Sequence, residues 1–186
     1  MRTIRIIAVL VALCASASAG SEPTAEQLQQ EIAYYTAQIR QDGGNARSYN
    51  ALGFAYHRLQ RLDEALDAYN KAIAADPAYP LPLNNIGSVR LTRQDYSGAE
   101  QMFRLALARD PMYAKAAYNL AVALYRQGRY LEAYREYRNA KKLDPSYVAG
   151  RMNGRESREK LDREINSSPH REELLRELAK EQNGVR

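Results

Sequence analysis

Three Asp-Pro pairs, Asp76-Pro77, Asp110-Pro111 and Asp144-Pro145, stand 34 residues apart. Proline pushes the residue before it out of the α region, so each pair marks the end of a helix. A helix end that returns at a fixed interval means a structural unit repeated along the chain. Aligning the prolines brings other columns into phase: Ala65, Ala99 and Ala133; Ala72, Ala106 and Ala140; and the small residues Gly53, Gly87 and Ala121. Three units follow, 46–79, 80–113 and 114–147.

Within a unit the apolar positions keep helical spacing, as in Leu52, Tyr56 and Leu59, then Leu62, Ala65, Leu66, Tyr69 and Ile73. That pattern predicts two antiparallel helices separated by a turn near Gln60-Arg61, Gln94-Asp95 or Gly128-Arg129. Only the third turn offers glycine for a left-handed residue. The small columns let paired helices approach closely, with Tyr69, Phe103 and Tyr137 filling the space beside them. The alanine and tyrosine stripes therefore read as core, since one unit cannot bury an apolar face alone.

The string Tyr49-x-x-Leu52-Gly53-x-x-Tyr56, then Ala65-x-x-x-Tyr69, then Pro77 resembles the tetratricopeptide repeat, with Tyr at positions where Trp and Phe are usual. The resemblance implies an all-α, right-handed helical-hairpin solenoid that works by binding. Leu28, Ile32 and Tyr35 fall in the register of Leu62, Leu66 and Tyr69, so residues 20–45 read as an N-terminal half-unit with one helix over 24–42, broken at Gly43-Gly44-Asn45. After Pro145 the period lapses. A charged capping helix is expected from Val148 to Ile165, then a break at Asn166-Ser167-Ser168-Pro169 and a last amphipathic helix to Gln182 bearing Leu174, Leu175 and Leu178. Three fates are open to that last helix: a solvent-lying tail, docking on the repeats, or pairing with a partner helix.

Residues 1–19 read as a secretory signal peptide: Arg2 and Arg5, the apolar stretch Ile6 to Leu13, and the small-x-small site Ala17-Ser18-Ala19. The stretch is too short to span a bilayer, which takes about 20 residues. Cys14, the single cysteine, raises the alternative of a lipid anchor, although Leu13 departs from the small residue usual before a lipidated cysteine. The net charge of +5 falls to +3 without Arg2 and Arg5. It collects on the third unit, with seven basic residues (Lys115, Arg126, Arg129, Arg135, Arg138, Lys141 and Lys142) against three acidic ones.

By the family's register, the first helix of each unit lines a concave groove. Unit one then offers Arg47, Asn50, Phe54, His57 and Arg58, unit two Asn84, Asn85 and Ser88, and unit three Lys115, Tyr118, Asn119, Val122, Tyr125 and Arg126. Amides to bond a peptide backbone, cations for carboxylates and aromatic faces for apolar side chains suit an extended peptide. One subfamily grips a C-terminal carboxylate. Asn85 and Lys115 match two of its positions, but Asn50, Phe54 and Asn119 depart from the other three, so that grip is not expected here.

The two histidines, His57 and His170, lie far apart with no metal-ligand spacing, and no nucleophile motif accompanies them. No cofactor, metal or catalytic activity is expected. Export and the lack of an RNA-recognition or helix-turn-helix signature argue against nucleic acid. The expected function is a non-catalytic scaffold or adaptor in the cell envelope, periplasmic or secreted, holding a peptide or a partner subunit of an envelope complex. The alternative is attachment to anionic envelope material through the basic third unit and the tail.

Overall fold

The computed structural model describes residues 23–151, together with Glu172 and Arg176. The leader at 1–19, Cys14, residues 152–165 of the expected capping helix, the break at 166–169 and nearly all of the last helix lie outside the described residues. The described residues hold eight helices and no strand: α1 (Ala25–Asp42), α2 (Ala46–Arg58), α3 (Leu62–Ala75), α4 (Pro80–Thr92), α5 (Tyr96–Arg109), α6 (Ala114–Arg126), α7 (Tyr130–Leu143) and α8 (Pro145–Arg151). This is the all-α helical-hairpin class that the period predicts. The chain divides into two compact units, one ending at Pro82 and the other beginning at Leu83.

In the first unit, Thr24 caps α1 through a capping box with Gln27, and Asn45 caps α2 through one with Ser48. Helix α1 ends on left-handed Gly43, with φ of 78°. Leu28 is buried, and helix α1 packs on α2 as the half-unit register requires. Helices α2 and α3 form the first full hairpin. The two helices approach closely at Gly53, where an added Cβ would lie 2.7 Å from the Tyr69 ring. The Tyr69 ring is wholly buried, and its hydroxyl has no hydrogen-bond partner among the described residues.

The second unit repeats that geometry with different side chains. A Cβ at Gly87 would stand 2.5 Å from the Phe103 ring, which is also wholly buried. Ala99, Phe103, Leu120, Ala123, Leu124 and Ala133 make one core, and Ala117, Ala140 and Val148 make a second beneath α8. In the third repeat the small residue is Ala121, and the facing Tyr137 is only partly buried.

All three hairpin turns have the same backbone, whatever the residue. Gln60, Gln94 and Gly128 are left-handed, with φ of 60°, 61° and 77°. Each is closed by the same pair of bonds: Arg61 N–H to Tyr56 and Gln60 N–H to His57; Asp95 N–H to Arg90 and Gln94 N–H to Leu91; Arg129 N–H to Leu124 and Gly128 N–H to Tyr125. This is the Schellman arrangement, in which glycine is the favoured left-handed residue. A left-handed L-residue costs about 1–2 kcal/mol, so the repeat imposes the geometry on two glutamines. Gln94→Gly is expected to raise stability by about 0.5–1 kcal/mol, the relief of strain being partly offset by glycine's greater freedom in the unfolded chain. Urea denaturation of the variant against wild type measures it.

The Asp-Pro pairs close the helices as the spacing implies. Asp76, Asp110 and Asp144 are extended C-cap residues, with φ of -146°, -136° and -145°. Their carboxylates accept bonds from the backbone N–H of Ala78, Met112 and Tyr147. The third pair behaves differently. Helix α8 begins at Pro145, three residues ahead of the expected Val148, because proline fits the first position of a helix and Asp144 accepts from the N–H of Tyr147 within its first turn.

Candidate functional site

The register-nominated residues sit on α2 in the first unit and on α4 and α6 in the second. On α2, Arg47 is exposed, while Asn50, His57 and Arg58 are half-buried. Phe54 is 45% exposed, unusually open for an aromatic, and the Arg58 guanidinium lies 6.0 Å from its ring centroid. Glu31 of α1 lies in the field of Arg58. Burial raises its pKa, and the arginine only partly counters that.

In the second unit, the amides nominated on α4 are occupied. Asn84 is 0% exposed, and its Oδ1 accepts a 2.9 Å bond from the Nδ2 of Asn119 on α6. Its own Nδ2 donates to Asn85 Oδ1 at 3.3 Å, and its backbone carbonyl accepts from the Ser88 hydroxyl at 3.1 Å. Asn85 is also buried. The Asn119 bond joins the two helices, and the Asn84 and Asn85 amides are satisfied within the protein, as a buried amide requires.

Helix α6 presents the more open face. Lys115, Tyr118, Asn119, Val122 and Tyr125 are half-buried and Arg126 is exposed. Their spacing of three and four residues puts them along one stripe. Tyr118 meets Tyr147 of α8 edge-on at 5.9 Å, and Tyr125 meets Tyr130 of α7 at 5.4 Å, so both rings are held from behind. Burial, then the neighbouring Tyr147, raises the Tyr118 pKa, which leaves its hydroxyl protonated and able to donate.

Two residues outside the nominated set join this face. Tyr147 touches Tyr118, and Arg151 lies 5.5 Å from the Tyr147 ring centroid. Tyr147 is the last residue of the third unit, and Arg151 falls in the expected capping helix. The signal that could have found Tyr147 is its place in a 34-residue column with Tyr79 and Tyr113.

The basic excess of the third repeat is not all available. Arg129 bonds Glu100 at 2.6 Å and Glu132 at 2.6 Å, and Glu100 also accepts from Gln127 and Arg104, both at 2.9 Å. This network ties α5 to the turn between α6 and α7. Among the described residues, no group of three His, Cys, Asp or Glu side chains converges to hold a metal ion, and no helix is long and apolar enough to cross a membrane.

Two tetratricopeptide repeat models match, one at residues 46–79 and one at 84–148, together more than half of the chain. No curated protein matches. Among solved structures, the first tetratricopeptide domain of Spaghetti (RPAP3), bound to the HSP90 peptide SRMEEVD, is 27% identical, with TM-score 0.55 over 63% of this chain and 88% of its own. The second domain of the same protein, bound to the same peptide, is 26% identical, with TM-score 0.53 over 57% and 99%. MamA is 18% identical, with TM-score 0.59 over 82% and 92%, a likeness of fold alone.

Proposed function

Because this chain belongs to the tetratricopeptide repeat family, we propose that it is a non-catalytic interaction module, an adaptor of the cell envelope that holds a peptide segment or partner subunit against the first helices of its repeats. The observation that carries the reading is the α6 stripe. Lys115, Tyr118, Val122, Tyr125 and Arg126 combine charge, aromatic face and partial exposure on one helix whose other side is core. The peptide-bound state of the Spaghetti domains supports it. Their peptide is not carried over. Phe54 is apolar where the carboxylate-gripping pattern wants an amide, and Asn119 is spent on Asn84, so aromatic contact carries more of the capture.

Lys115→Glu combined with Tyr118→Ala is expected to weaken capture at least tenfold while helicity is retained, since neither residue belongs to the buried core. Crosslinking in intact cells identifies the partner, and affinity measured against it gives the ratio. Unchanged capture by the double variant would remove α6 from the site.

The envelope setting rests on Arg2, Arg5, the apolar stretch to Leu13 and Ala17-Ser18-Ala19. The expected mature protein starts at Gly20 without lipid. Intact mass from fractionated cells checks this: a retained Met1 counts against export, and a diacylated Cys14 replaces free export with anchoring.

A further inference from the structure

Lys115 and Tyr118 are one turn apart on α6, and Tyr147 and Arg151 are one turn apart on α8. The 5.9 Å contact of the two tyrosines brings both pairs to one place. Elsewhere in the molecule Arg61, Lys71, Arg104 and Arg129 each have a carboxylate partner. Among the described residues neither Lys115 nor Arg151 has one.

The two cations nonetheless lie close enough to feel each other. Burial, then the charge of Arg151, lowers the Lys115 pKa. The Tyr147 hydroxyl beside them is buried without a hydrogen-bond partner among the described residues. Two like charges gathered with no counter-charge among the described residues, one of them half desolvated, are arranged for an anion from outside.

Resting on the peptide-holding reading above, we propose that Lys115 and Arg151 together receive the side-chain carboxylate of a Glu or Asp within the bound segment, with Tyr118 and Tyr147 as the aromatic wall beside it. The Arg151 position favours a carboxylate. A guanidinium with one face on a ring keeps its N–H edges free, and two parallel N–H groups match the two oxygens of a planar carboxylate. Lysine adds a point charge that accepts a range of approach angles. Helix α8 then selects ligands as well as closing the last repeat.

The test uses the full-length chain and two pools of fluorescein-labelled, C-terminally amidated nonapeptides, randomised except for a central Glu-Glu or Gln-Gln pair. Fluorescence anisotropy is expected to show the Glu pool binding at least fivefold tighter than the Gln pool. That preference should vanish in Arg151→Gln and should be partly kept in Arg151→Lys. Circular dichroism confirms that the variants are folded. Equal binding of the two pools to wild type overturns the carboxylate site while leaving the interaction reading standing. A preference that survives Arg151→Gln likewise overturns it. A third pool with central phosphoserines that alone binds would reassign the site to phosphate and overturn the carboxylate proposal. If no pool binds the wild-type chain at all, the peptide-holding reading itself fails.

Discussion

Gly87→Val is expected to destabilise the second unit by about 3 kcal/mol, the upper end of the usual cost of overpacking. Even the first carbon of a new side chain would stand 2.5 Å from the Phe103 ring. The ring cannot swing aside, because it is wholly buried among Ala99, Leu120, Ala123, Leu124 and Ala133. A smaller facing residue should restore part of the loss, so Gly87→Val with Phe103→Leu should be less damaging than the two single changes added together. A double-mutant cycle by urea denaturation measures the coupling. Strict additivity would mean that the close approach at Gly87 contributes nothing.

Glu100→Ala is expected to cost about 2 kcal/mol at neutral pH. The Glu100 side chain is only 13% exposed and accepts from Arg104, Gln127 and Arg129. Charge-assisted hydrogen bonds contribute about 1.5–3 kcal/mol, discounted here because the arginines reach solvent and Arg129 keeps Glu132. Burial by itself would raise the Glu100 pKa, but the bonds from Gln127 and Arg104 and the nearby Arg129 charge outweigh it, and the net shift is downward. A carboxylate with a lowered folded-state pKa contributes stability above its unfolded pKa and loses it as pH falls through the folded value. The gap between wild type and Glu100→Ala should therefore be full at pH 7 and narrow steadily below pH 4. Thermal melts across that range check the sign, and a gap that widened on acidification would contradict the network.

What the sequence showed and what it hid divide along physical lines. Helices, turns and the close approach at Gly53 and Gly87 were legible because each depends on residues near in sequence or on columns that the period aligns. The left-handed state of Gln60 and Gln94 was hidden, because glutamine carries no local sign of it. Gly128 is the only glycine in that column, and the glutamines adopt its geometry because the repeat does.

The Glu100–Arg129 bond was out of reach for a different reason. It joins residues 29 apart whose meeting depends on how α5 faces the next turn. Of the nominated site, the α6 residues lie on an open face, but Asn84 is consumed in packing. Register gives the direction a side chain takes from its helix; it does not tell whether a neighbouring helix already occupies that side.

The part-buried bond from Asn119 to Asn84 links the fifth position of one repeat to the sixth position of the next. Asn50 holds the fifth position in the first repeat. Excision of residues 80–113 as one block would put Asn50 at the register position of Asn84, at the same separation of 35 residues from Asn119. The joint between neighbouring first helices is written once and can be reused, so the chain can change its length by whole periods and keep the same fastening.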